Sequence, residues 1–301
     1  MQFHHITSSN IVSPTYESTR LEALPAWKAA LACCSTLFIV IPVLLLPESV
    51  AGFITGSDSP YQTILAGLVG VAGAVAGFLL WSRCMGIRIS ALFLQKPDRT
   101  VIWSVLAILG ISTVLLILTI GLVPGRIAMS ELTSSVLLMH VATALAIGLW
   151  TGTIEELFLR GAVLAVLGNQ WSWSGALIWT SLLFGLLHTG AGDSTLHSLF
   201  YVILTTLAGL LFGVVTLATG SIWHAVAMHA TWNTIFSGYL VTIDSAVQGS
   251  SLIHYELTAS NWLVTPYDVP ITESPLAIFL FGLTLFGAFA IIRRKNTASI
   301  Q

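Results

Sequence analysis

Charge is what this chain of 301 residues has least of: 8% of its residues are Asp, Glu, Lys or Arg, while 55% are hydrophobic. Mean hydropathy is +0.90. A soluble domain carries roughly a quarter charged residues, so a solvated globular fold is excluded. The net charge is −2 and no basic stripe is present, so nothing invites nucleic acid. Cysteine is scarce as well. Cys33, Cys34 and Cys84 are odd in number and lack metal-site spacing, which argues against a disulfide framework or a zinc knuckle. They read as small packing residues. No internal repeat is visible, so a transporter built from inverted repeats gains no support. The polar start lacks a basic n-region and a compact h-region, so the first apolar run is expected to remain in the mature protein.

What the chain has is apolar runs long enough to cross a hydrocarbon core of ~30 Å. Spans are expected near 29–46, 61–82, 101–123, 132–167, 173–189, 196–219, 221–243 and 274–292. The expected fold is all-α, a polytopic bundle of about eight transmembrane helices around a buried polar cavity. A polar tail (1–28) precedes a single membrane domain (29–301), with its catalytic core at about 132–243 and an extracytoplasmic loop at 244–273. The fourth run would be roughly 54 Å long as a straight helix, so it is expected to bend near Trp150-Thr151-Gly152-Thr153.

Positive charge sets the orientation. Arg293, Arg294 and Lys295 mark a cytoplasmic C-terminus, and an even number of spans brings the N-terminus to the same side. Arg20, Lys28, Arg83, Arg88, Lys96 and Arg99 then also fall inside. Glu48, Asp58, Glu131, Asp193, Asp244, Glu256, Asp268 and Glu273 fall outside, with Arg126. This pattern fits a bacterial inner membrane. The 244–273 loop holds acids and the aromatics Tyr255, Trp262 and Tyr267 but no Lys or Arg. It reads as a cover for the bundle, or alternatively as a cap facing substrate.

Ionisable residues inside apolar spans cost about 2.5–3.5 kcal/mol each, and they usually mark function. Residues 155–160 read Glu-Glu-Leu-Phe-Leu-Arg. Glu156 and Arg160 are four apart and can pair on one helix face. Glu155 lies about 100° away and has no partner at that spacing. A buried ion pair that fixes packing would account for Glu156 and Arg160 but leaves Glu155 unexplained. Phe184 and His188 share a helical face, as do His229 and Asn233. His140, His197 and His224 read as core histidines, and His4, His5 and His254 lie outside the apolar runs. About a turn near residue 171, Glu155 and His188 are nearly equidistant, so an antiparallel hairpin brings them to similar depth. His229 sits closer to the start of its own span, and a bent fifth span or a re-entrant turn would reconcile the depths.

EELFLRG at 155–161, SLLFGLLH at 181–188 and GSIWHAVAMHATWN at 220–233 resemble, in order, the three signature motifs of the CPBP intramembrane endopeptidases. That family includes the CaaX prenyl proteases and relatives linked to bacteriocin processing or self-immunity. The resemblance covers about 150–240. It implies peptide-bond hydrolysis at membrane depth, with a membrane-associated peptide or protein as substrate and the lipid bilayer as surroundings. It assigns Glu155 as general base on a water and His188 as the group that holds it. His229 and Asn233 become oxyanion donors, and Glu156, Arg160 and Phe184 become supports. No cofactor is favoured. If zinc were used, Glu155, His188 and His229 would be its ligands, but the chain has no HExxH motif. Asn233 is a poor zinc ligand and a good oxyanion donor. A non-catalytic scaffold or immunity protein of the same fold is the alternative, followed by an ion-coupled transporter. Glu273-Ser-Pro, an apolar run and RRK also resemble a bacterial sorting tail, although a last span with a positive end explains them. Oligomeric state is not legible.

Overall fold

The computed structural model describes residues 12, 21, 22, 24–56, 59, 61–129, 133–190, 192, 194–244, 251–266 and 269–298. Most of the polar tail, with His4, His5 and Arg20, lies outside the described residues. So do Asp58, Glu131, Asp193, 245–250, Tyr267 and Asp268, and the side chain of Lys295. A chain this apolar must satisfy its backbone hydrogen bonds internally, which within a bilayer means helix or closed barrel. Helices α1 (Ala26–Ser35) and α2 (Leu37–Thr55) run on as one apolar segment, followed by α3 (Gln62–Met85) and α4 (Val101–Leu122). Strand β1 (Gly125–Met129) leads to α5 (Ser134–Glu156), a π-helical segment (Leu157–Leu164) and α6 (Ala165–Gln170). Then come α7 (Trp173–Leu187), α8 (Thr195–Thr219), α9 (Trp223–Ile235), β2 (Val241–Asp244), β3 (Ile253–Leu257) and α10 (Pro275–Ala298).

Among the described residues, six helical segments are long and apolar enough to cross a membrane. Phe38, Phe53, Ile117 and Phe286 project outward from them, as lipid-facing side chains do. The chain is thus a polytopic, mostly helical membrane bundle. Two of the eight expected spans are shorter than anticipated. Helix α7 has 15 residues and α9 has 13, reaching roughly 22 and 20 Å against a ~30 Å core. Only α9 is cut by a backbone turn inside its apolar run; α7 nearly fills the expected 173–189 and ends where the sequence turns polar. Helix α7 stops at His188, ahead of Gly190 at φ +85°, and α9 lies between Gly220 at φ +71° and Gly238 at φ +86°. Hydropathy does not register such turns.

The helix is unbroken at 150–153. The irregularity lies just past the glutamate pair, where all eight residues of the π-segment are buried. Winding of this kind is frequent at functional sites. A small sheet also joins the helices, in the order β1-β3-β2. Strand β1 runs antiparallel to β3 and β2 runs parallel to it. The Tyr255 hydroxyl donates to the Val123 carbonyl at 2.9 Å and ties the sheet to the end of α4. Of the cysteines, Cys33 is half-buried while Cys34 and Cys84 face outward, so two of the three are not core packing residues.

Candidate active site

Close helix approaches bring the site together. Gly148 and Gly152 of α5 face α9 so tightly that a Cβ on Gly148 would lie 2.6 Å from the Ala230 carbonyl oxygen. One on Gly152 would lie 2.9 Å from the Ala230 nitrogen. Small residues four apart let two backbones meet in this way, and the contact fixes His229 beside the end of α5. Gly185 of α7 and Gly209 of α8 do the same for the neighbouring pair. A Cβ on Gly185 would stand 2.8 Å from the Val202 carbonyl oxygen, and one on Gly209 would stand 3.0 Å from the Ser181 Cα.

Glu156 and Arg160 pair at 2.7 Å, Nη1 to Oε1, and both are buried. The same Oε1 accepts from His229 Nδ1 at 2.9 Å. A carboxylate only accepts, so Nδ1 carries the proton and Nε2 is turned the other way. Nε2 stands 3.8 Å from Glu155 Oε2. Arg160 also donates from Nη2 to the Gly209 carbonyl at 3.2 Å, and its guanidinium lies 4.7 Å from the Phe184 ring centroid. Phe212 stacks on His229 with ring centroids 5.3 Å apart. Glu156 is therefore held by a cation and an imidazole. Glu155 Oε2 is buried and makes no hydrogen bond among the described residues.

The His188 ring packs edge-on against Phe184 at 4.8 Å, and its Nδ1 lies 2.7 Å from the Phe184 carbonyl oxygen. That contact makes Nδ1 the donor and leaves Nε2 for the cavity. Asn233 donates from Nδ2 to Thr151 Oγ1 at 2.8 Å, and the second amide proton remains for another acceptor. Glu155, His188, His229 and Asn233 all line one cavity of about 260 Å³, with Phe184 in its wall. Glu156 and Arg160 stand behind it. The short helices resolve the depth mismatch between His188 and His229, since neither sits in a full-length crossing.

Thr151, Tyr201 and Glu273 are among the lining residues that the sequence reading did not assign to the site. Thr151 and Tyr201 belong to no charged or repeated pattern that would single them out. Glu273 ends the long loop, and only the cap reading of that loop pointed toward it. Its Oε2 accepts from Thr272 Oγ1 at 2.9 Å and lies 3.8 Å from His197 Nε2. Burial pushes the Glu273 carboxyl up to about 7. The other described histidines make contacts outside the four cavity residues. His140 bonds the Val136 carbonyl, His224 meets Thr100 Oγ1 at 3.1 Å, and His254 meets Thr242 Oγ1 at 2.9 Å. Among the described residues no three His, Cys, Asp or Glu side chains are grouped to hold a metal ion. Nδ1 of both cavity imidazoles is engaged, which leaves Nε2 as the ring nitrogen open to a further partner.

A membrane bundle enclosing paired carboxylates, imidazoles and a carboxamide defines the class: a polytopic membrane protein with a hydrolase-like polar cavity. Residues 136–235, about a third of the chain, match the family model for the type II CAAX prenyl endopeptidase Rce1-like proteins. The match supports the CPBP/CaaX protease family, and with it an intramembrane endopeptidase. It takes in all seven residues named for the site, from Glu155 to Asn233. No curated protein matches the sequence significantly.

Proposed function

We propose that this chain hydrolyses a peptide bond of a membrane-associated peptide or protein, using a water activated by Glu155. We place it in a bacterial inner membrane with both termini cytoplasmic. The observation that carries this reading is the cavity itself. Glu155 faces it with an unpartnered carboxylate oxygen, beside His188, His229 and Asn233. A base needs a lone pair that no structural partner occupies. Glu155 Oε2 offers one to the cavity, whereas Glu156, tied through Oε1 to Arg160 and His229, keeps its own Oε2, unbonded among the described residues, buried and outside the cavity lining.

Water held between Glu155 and His188 attacks the scissile carbonyl carbon, and its proton passes to the Glu155 carboxylate. The carbonyl π-electrons move onto oxygen. That oxyanion accepts from the free amide proton of Asn233 and from Nε2 of His229 when the ring is doubly protonated. Glu156, on Nδ1, supports that protonated state. Each well-placed donor in such a site contributes about 2.7–4 kcal/mol. On collapse the C–N bond breaks, and the proton on Glu155 goes to the leaving amine. Arg160 holds Glu156 in place and so orients His229 at one remove.

The test is terminal-peptide mass spectrometry on host membranes, comparing wild type with Glu155→Gln at equal expression. New termini that depend on Glu155 are expected. Identical termini in both samples, with both proteins folded, would overturn the peptidase and favour a scaffold.

A further inference from the structure

A second hollow of about 480 Å³ lies beside the candidate catalytic cavity, within the usual size of ligand sites. All four residues of β2 line it, together with the chain leaving β3 (257–260) and the segment 269–272. Phe236 and Thr272 line both hollows, so the two share a wall. The next residue, Glu273, faces the catalytic side. The lining is mixed: hydroxyl-bearing Thr242, Thr258, Ser260 and Thr265 stand among apolar side chains such as Ile243 and Leu257, as a peptide with alternating side chains requires.

The strand order makes β2 an edge strand, half-buried along its length. An edge strand beside a groove is a standard template for an extended peptide, because its outward backbone groups pair with the guest while alternate side chains select it. The charge is one-sided. From 241 to 273 the chain has Asp244, Glu256, Asp268 and Glu273 and no Lys or Arg. Asp244 lines the outer hollow and Glu273 the inner one. A guest with basic side chains would meet the Asp244 carboxylate, 3.5 Å from His254 Nε2, at the outer end of the path. At the inner end it would meet the buried Glu273 carboxyl, whose ionised form a cation favours.

We propose that the outer hollow is a peptide groove in which an extended, Lys- or Arg-bearing segment of the substrate lies beside β2 and is led past Phe236 and Thr272 to Glu155. The proposal rests on the peptidase reading for the fate of its occupant, but binding can be measured apart from cleavage. The shared wall explains why a soluble loop and a membrane-buried carboxylate should serve one substrate. The loop binds a flanking segment in water, and the bond to be cut enters the bundle.

The experiment uses the full chain carrying Glu155→Gln in nanodiscs and two fluorescein-labelled peptides, one of alternating Lys and Val and one of alternating Gln and Val. Fluorescence anisotropy should show the Lys peptide binding about tenfold or more tightly than the Gln peptide. Ala259→Trp and Thr258→Trp, both at exposed groove positions, should each weaken it about tenfold with melting unchanged. Ile127→Trp on β1, the opposite edge of the sheet, should leave binding intact. Asp244→Asn combined with Glu273→Gln should remove the preference for Lys. Equal binding of the two peptides, or binding indifferent to both groove tryptophans, overturns the groove. Groove-dependent binding without Glu155-dependent termini in wild type overturns the peptidase reading and leaves the groove standing. Glu155-dependent termini without groove-dependent binding do the reverse.

Discussion

Adjacent glutamates in one helix turn meet different surroundings. Glu156 is fully buried and holds Arg160 and His229 on one oxygen, whereas Glu155 is 23% exposed and faces the cavity. Removing Glu156 leaves the Arg160 guanidinium buried without its counter-charge, a loss of about 3–5 kcal/mol. Glu156→Leu should therefore lower the thermal midpoint in detergent markedly, while Glu155→Gln should melt like wild type. Equal midpoints for the two variants would refute this division of labour. The Glu156–Arg160 pair was legible from four-residue spacing alone. The second bond on Glu156 was not, since His229 lies 73 positions away and no local pattern encodes that distance.

Helix approach, rather than helix existence, decides whether the cavity forms. The contact of α5 with α9 depends on Gly148 and Gly152, where any side chain meets the Ala230 backbone. Gly152→Val should cost about 1–3 kcal/mol through overpacking and abolish hydrolysis by displacing His229. Gly110→Val, where added carbon meets open space, should do neither. Thermal unfolding and Glu155-dependent cleavage together check this, and unchanged cleavage in Gly152→Val would refute it. The glycines themselves are visible in the sequence, but the helix they face is not. The length of α9 was likewise hidden, because Tyr239, Leu240 and Val241 continue the apolar run past Gly238, where a positive φ turns the backbone. The three-strand sheet was unseen because its strands pair residues far apart, Arg126 with Glu256 among them.

At the scale of the whole molecule, a count of six crossings or of eight leaves both termini on one side of the membrane, so the shortened α7 and α9 do not disturb the parity if they behave alike. The basic end at Arg293 and Arg294 then argues for a cytoplasmic C-terminus. Green fluorescent protein fused after Gln301 should fluoresce, and alkaline phosphatase inserted between Ser260 and Asn261 should be active. A dark fusion with an inactive phosphatase would invert the orientation and place the groove along β2 in the cytoplasm.

Composition determined that this chain lives in a membrane, and its continuous apolar runs determined that it is helical, because a closed barrel would need shorter, alternating strands. Motif spacing marked which ionisable residues are worth their insertion cost. The tertiary structure alone decided that Glu156 is bound and Glu155 is open, that two helices stop short, and that the loop before α10 brings Glu273 to the cavity. These are consequences of which surfaces meet. Hydropathy and helical period report the energy of a residue in a medium or on a face, and carry no term for the partner on another helix.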